Sequence, residues 1–168
     1  MIRPASPADA QALSDLACEL FPLGCPADTH PDDIAHYRAT ALTPAAFAAH
    51  LADPEITLLV ACDDANSRPI AYTLIARSAN PPAAVAPATH EVRKFYLHPA
   101  QHGSGLAQRL MAAALALAPG NVFWLSVFSQ NPRAIAFYKR CGSVIAGSQN
   151  FLVGTDLQLD YLMLRQPE

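Results

Sequence analysis

The sequence predicts an α+β fold, a mixed sheet with helices on its faces, and three observations carry that expectation. Short β-prone segments alternate apolar and polar residues between turn-forming residues. Other stretches place apolar residues at i, i+3, i+4 and i+7, the spacing of a buried helix stripe. The two kinds interleave as strand, helices, three strands, helix, strand, helix and two strands, which suits neither an all-α nor an all-β domain.

Residues 2–5 read as a first strand, and Ser6-Pro7-Ala8-Asp9 opens a helix that runs to about Phe21. A stretch rich in Pro and Asp, residues 22–33, interrupts the chain. Helical pieces follow at residues 34–41 and 43–52, where Thr43 can cap and Pro44 can occupy the first turn. Residues 57–62 and 70–77 are strands joined by Asp63-Asp64-Ala65-Asn66-Ser67, which is hairpin-turn chemistry. The Ala/Pro-rich residues 78–89 form a loop too short to link domains. Residues 92–97 make a strand that passes through a glycine-bearing turn into a helix with Leu106, Leu110, Ala113, Ala114 and Leu117 on one face. Pro119-Gly120 stops that helix, and residues 122–127 form a strand. Asn131 caps a helix with Pro132 at its first position, and Gly142 closes it. Two last strands, about 143–152 and 157–164, flank a turn at residues 153–156.

The chain of 168 residues fits a single domain, 1–168, with material for a real core. Its 52% hydrophobic content excludes a largely disordered protein, and its formal charge of −3 leaves no basic footprint for nucleic acid. No apolar run approaches the ~20 residues needed to cross a bilayer, and the start lacks a signal-peptide pattern, so no membrane association is expected. Four scattered cysteines without a Cys-x-x-Cys pair suit a reducing, cytoplasmic setting. The six histidines lack the carboxylate pattern of a metal site, so no metal is expected.

The turn His102-Gly103-Ser104-Gly105-Leu106-Ala107 is where chemistry is first legible. Amides at a helix start have no intrahelical partner and the helix dipole adds positive potential, so a glycine-opened turn there can hold a pyrophosphate. The glycine spacing is neither a Walker nor a dinucleotide-binding fingerprint. Further on, Ala134, Phe137, Tyr138 and Cys141 form a core stripe that also aims a phenol at the sheet, where its hydroxyl needs a partner.

These two segments resemble the GNAT acetyltransferase family. Its acyl-CoA loop is Gln/Arg-x-x-Gly-x-Gly/Ala, matched here except that His102 replaces Gln or Arg. Its Asn-x-x-Ala-x-x-Phe-Tyr-x-x-x-Gly-Phe segment is matched from Asn131 through Ala134, Phe137, Tyr138 and Gly142, with Ser143 in place of the last Phe. The resemblance implies a GNAT-like, mostly antiparallel sheet flanked by helices, with splayed central strands, and acetyl-CoA as cosubstrate. It implies that the backbone of Phe95, Tyr96 and Leu97 pairs with the pantetheine arm, and that His102, Gly103, Ser104, Gly105, Leu106 and Ala107 hold the pyrophosphate. Asn131 would bond the pantetheine, cap its helix, or do both, and Tyr138 would lie near the thioester sulfur.

An attacking amine must first shed a proton from an ammonium of pKa about 10. Glu91 is the candidate base, because it shares strand parity with Phe95 and Leu97 and so points into the same cleft unless a bulge intervenes; water is the alternative. The tail Phe151-Leu152-Val153-Gly154-Thr155-Asp156-Leu157-Gln158-Leu159-Asp160-Tyr161-Leu162-Met163 resembles the bacterial spermidine/spermine-type branch, which implies a small-molecule amine acceptor such as a polyamine. Asp156 reads as a turn residue and Asp160 as an inward or edge polar group. Asp28, Asp32 and Asp33 could rim a pocket for a cationic acceptor or lie in a solvated loop. The alternatives are a non-catalytic acyl-CoA sensor and an enzyme acting on protein N-termini or lysines. The edges of the last strands could pair two chains as a homodimer.

Overall fold

Strands β1 (Ile2–Pro4), β2 (Ile56–Cys62), β3 (Pro69–Arg77), β4 (His90–Leu97), β5 (Phe123–Phe128), β6 (Val144–Val153) and β7 (Asp156–Arg165) form one sheet in the order β1-β2-β3-β4-β5-β7-β6. The computed structural model describes residues 1–77, 80–153 and 156–167; of the turn expected at 153–156, Gly154 and Thr155 lie outside the described residues, as do Ser78 and Ala79 of the preceding loop. Every neighbouring pair is antiparallel except β4 and β5, which run parallel and match only at His90↔Phe123 and Glu91↔Trp124. Beyond those two pairs the strands separate, so the expected splay is present, and it leaves residues 93–97 of β4 without a partner strand on that side.

Helices α1 (Ala10–Leu20), α2 (Pro31–Ala41), α3 (Pro44–Ala52), α4 (Leu106–Leu115) and α5 (Pro132–Arg140) flank the sheet. Strand β2 shows how both faces are covered. Leu58 and Val60 point into a core with Leu13 and Phe47 of α1 and α3, while Leu59 and Ala61 point into a core with Leu110 of α4 and Tyr138 of α5. Its unbroken apolar run from Leu58 to Cys62 is the pattern of a strand buried on both sides. On the α1/α3 face of the other half-sheet, Trp124 and Leu162 are covered by Val85 and Ala88. The Ala/Pro-rich loop is thus anchored to the sheet through Val85 and Ala88, while most of its other described residues are exposed. Gly147 of β6 is what lets it dock, since a Cβ there would lie 2.6 Å from Ala84 Cβ. The outer strand β6 leaves Val144 and Leu152 exposed. No helix among the described residues is long and apolar enough to cross a membrane.

Local chemistry sets the helix ends. Thr43 Oγ1 accepts from Ala46 N at 3.1 Å and Asn131 Oδ1 from Ala134 N at 3.0 Å, both with proline opening the helix. Helix α2 starts at Pro31, three residues before the expected position, because His30 Nδ1 accepts from Asp32 N and Pro31 fills the first turn. Helix α4 ends at Leu115, so Leu117 is exposed rather than part of the buried stripe, and Met111 joins the core instead.

Asp9 fastens the start of α1 to β1. Its carboxylate takes both Nη atoms of Arg3 at 2.8 Å, Ser6 N at 2.7 Å and Ser6 Oγ at 2.9 Å. The Arg3 guanidinium above all, with the Ser6 bonds, holds its pKa well below the usual carboxylate range. A depressed folded-state pKa contributes stability that is complete above the unfolded value of about 3.9 and is lost as pH falls below it. Asp9→Asn is expected to lower stability by about 1–3 kcal/mol at pH 7, with the two melting curves converging in acid. A gap in melting temperature that does not change with pH would contradict this account.

Candidate active site

The splay opens a cleft of about 1100 Å³ whose lining includes Phe95, Tyr138, Asn131, Gly103, Glu91 and Asp160. At its phosphate-like end, Gly103 and Gly105 both adopt left-handed φ, +81° and +76°, which turns the chain sharply into α4. Leu106 N donates to Ser104 Oγ at 3.3 Å and Ser104 N to the Gln101 carbonyl at 3.3 Å, whereas among the described residues the amides of Gly103, Gly105, Ala107 and Gln108 have no protein acceptor. Four free donors at the positive end of a ten-residue helix suit an anion. His102 is exposed at the cleft wall, and burial together with Arg133 and His98 lowers its pKa, so it stands there chiefly as a neutral ring.

Tyr138 reaches the cleft from α5. Its ring lies edge-on to Phe95 of β4 at 6.3 Å and to Phe137 at 5.3 Å, so aromatic contacts fix its direction. Its hydroxyl makes no hydrogen bond among the described residues, yet it is not one of the sealed orphans, which are Thr29 Oγ1, Tyr72 Oη and Trp124 Nε1. It opens into the cleft it lines. Burial pushes the phenol well above its usual pKa, so it remains a proton donor at any working pH. Asn131 shows how cap and ligand contact can coexist: Oδ1 serves Ala134 N, while Nδ2 has no acceptor among the described residues. Of the three β4 residues, Phe95 and Leu97 face α4 and α5, and Tyr96 faces the other way, stacked on Tyr72 at 5.5 Å. The backbone of Tyr96 is offered at the splayed edge, and the residue also lines the cleft.

The expected facing of Glu91 needs correction. Lys94 pairs with Leu74 but Val92 with Ile75, so Arg93 is an extra residue in β4. This bulge places Val92 on the same face as Phe95 and Leu97 and turns Glu91 to the opposite, α1/α3 face, alongside Lys94 and Tyr96. Glu91 still lines the cleft, because the splay opens through the sheet. Its Oε2 accepts from Arg93 Nε at 3.0 Å and Nη2 at 2.9 Å, and Oε1 has no partner among the described residues. The arginine partner was missed in the sequence; the Glu-x-Arg spacing was its only signal.

The acidic residues of the 22–33 stretch do not rim the cleft. Asp28 and Asp32 are exposed, Asp33 is half-buried, and none of the three lines the cleft; Asp32 pairs with His30 at 3.6 Å instead. Phe21, Cys25 and Tyr37 line that side. Besides Glu91, Asp160 is an acid that does line the cleft, buried on β7 and accepting from Ser126 Oγ at 2.6 Å.

A model of the acetyltransferase (GNAT) family matches residues 11–143. The chain belongs to the GNAT acetyltransferase family. Uncharacterized N-acetyltransferases of Mycobacterium bovis and Mycobacterium tuberculosis are each 35% identical to it over 161 residues, 94% of this chain and 97% of theirs. Among solved structures, the PaiA N-acetyltransferase of Thermoplasma acidophilum in complex with coenzyme A superposes with a TM-score of 0.79, at 18% identity over 99% of this chain and 98% of that one. Arabidopsis thaliana NAA60 in complex with a bisubstrate analogue gives 0.73, at 16% identity over 100% and 98%. These distant likenesses establish the GNAT fold, a mixed seven-stranded sheet with five flanking helices. As a GNAT enzyme, the protein is an N-acetyltransferase that uses acetyl-CoA.

Proposed function

We propose that this acetyltransferase moves the acetyl group onto a small primary amine, with polyamines the leading class, by direct attack on the thioester. The observation that carries the reading is the splay itself, with the unpaired Tyr138 hydroxyl entering it and the carboxylates of Glu91 and Asp160 lining it. On the donor side, the free amides from Gly103 to Gln108 would hold the pyrophosphate. The open edge of β4 at Phe95, Tyr96 and Leu97, with Asn131 Nδ2, would bind the pantetheine arm. On the acceptor side, the spermidine/spermine-like tail supports a cationic substrate. Residues 1–168 act as one catalytic domain, and the four unpaired cysteines are in keeping with a cytoplasmic enzyme.

Glu91 is the proton acceptor of this reading. As a proton acceptor the carboxylate works by passing the proton onward to water rather than by keeping it. Its free Oε1 is the atom for that relay, while Arg93 holds Oε2 and fixes the rotamer. Glu91→Gln is expected to lower kcat/KM about 10- to 1000-fold at neutral pH, with the loss shrinking as pH approaches the amine's own pKa. An unchanged pH–rate profile would assign proton removal to water alone.

The deciding experiment is acceptor-dependent CoA release across a panel of alkylamines, polyamines and peptides. Turnover with the small amines is expected. Turnover confined to peptides would overturn the small-amine reading.

A further inference from the structure

On the face of the sheet that carries Glu91, a second polar group is built into the apolar strands beyond the splay. Asp160 of β7 stands in register with Phe128 of β5 on one side and Gln149 of β6 on the other. Gln149 Nε2 donates to Ser126 Oγ at 3.3 Å, and Ser126 Oγ donates to Asp160 Oδ2 at 2.6 Å. Every proton in this chain of bonds is directed at the carboxylate, and Asp160 Oδ1 has no partner among the described residues. The residue is only 8% exposed, and all three side chains line the cleft.

We propose that Asp160, positioned by Ser126 and Gln149, is the acceptor-recognition carboxylate of this enzyme, its free Oδ1 binding an ammonium group of the acceptor other than the one acetylated. The inference rests on the small-amine reading and deepens it, because a carboxylate in this place favours a diamine or polyamine over a monoamine. A buried acid with one free oxygen is an expensive feature for a fold to keep unless a cation completes it. Burial raises its pKa despite the Ser126 bond, so the ionised form costs stability until a cation arrives. Lys94, on the same face of β4, does not supply that cation among the described residues; its Nζ is turned to Tyr37 Oη at 3.4 Å. Arg93 is committed to Glu91. The two carboxylates lie on different strands, Glu91 on β4 and Asp160 two strands away beyond β5, so they can serve different nitrogens of one acceptor. Asp160 contacts the substrate; Ser126 and Gln149 are positioning residues.

The test compares wild type with Asp160→Asn, using butane-1,4-diamine and butan-1-amine at saturating acetyl-CoA. The asparagine keeps the shape and can still accept from Ser126 Oγ, so the fold should be retained, with a melting temperature at neutral pH no lower than wild type. The wild type is expected to prefer the diamine. Asp160→Asn is expected to raise the diamine KM about 10- to 100-fold, the worth of one charge-assisted bond, while kcat and the monoamine KM stay nearly constant. Ser126→Ala, which frees Oδ2 to swing, should raise the diamine KM by a smaller factor. Equal changes for both amines, no change in either, or a fall in kcat with a shifted pH profile would each overturn the recognition role while leaving the small-amine reading standing. If the wild type acetylates neither amine but does acetylate a peptide, the small-amine reading falls and this inference with it.

Discussion

Tyr138→Phe is expected to lower the single-turnover rate of acetyl transfer by about 10- to 1000-fold while leaving acetyl-CoA binding within a few-fold of wild type. The substitution removes one oxygen and nothing else. The ring stays between Phe95 and Phe137, so no cavity opens, and the lost hydroxyl has no protein partner among the described residues whose bond would be broken. A large loss of rate without loss of stability would therefore report on the reacting sulfur. What the hydroxyl supplies there is constrained by its surroundings. A phenol of pKa about 10 protonating a thiolate whose thiol has a pKa of about 8.5 is uphill by about 2 kcal/mol in water. Burial raises the phenol further, which keeps it a donor but makes release of the proton harder. A hydrogen bond to sulfur as negative charge develops is therefore the contribution the site supports best. The measurement is rapid mixing of enzyme and acetyl-CoA with excess amine, and an unchanged rate would remove Tyr138 from the chemistry.

The features proposed to bind the donor were legible in the sequence because their determinants are local. The cap Asn131 with Pro132, the stripe through Ala134, Phe137 and Tyr138, and the glycines at 103 and 105 each act within a turn or two of chain, and each appears where its spacing places it. The proposed acceptor side depends on contacts between distant strands. Strand parity put Glu91 with Phe95, and one extra residue, Arg93, reversed that; a bulge is set by the partner strand and leaves no mark in the local pattern. Asp28, Asp32 and Asp33 advertised an acidic rim by density alone, whereas the acids that line the cleft are Glu91 and, on the far side of the splay, Asp160. Its signal was faint but physical: Ser126 interrupts the apolar strand Phe123–Phe128, and Gln158 and Asp160 recur at period two between Leu157, Leu159 and Tyr161. The loop before β4 was unreadable for the same reason, since Val85 and Ala88 are buried by Trp124 and Leu162 from far along the chain.

The turn proposed to hold the pyrophosphate gives the second large effect, and the two substitutions at Gly105 separate its causes. Gly105 has φ +76°, and a Cβ there would meet Arg109 Nη1 at 3.2 Å, the far end of a flexible side chain. Asparagine tolerates the left-handed region better than most residues, so Gly105→Asn tests added bulk with little backbone strain. It is expected to raise the acetyl-CoA KM about tenfold. Gly105→Asp has nearly the same shape but sets a negative charge among the free amides of Gly103, Ala107 and Gln108. Like charges about 4 Å apart repel by about 4 kcal/mol at an effective dielectric of about 20, and exposure reduces that, so the expected rise in KM is about 100- to 1000-fold. The excess of the aspartate effect over the asparagine effect should shrink as salt is added, because the cradle is open to solvent and the repulsion is screened. If the two variants behave alike at low salt, the loop's contribution is steric and the amides do not bind the phosphates. If the excess is present and screens with salt, the donor is held at this turn by charge, independently of any group that selects the acceptor.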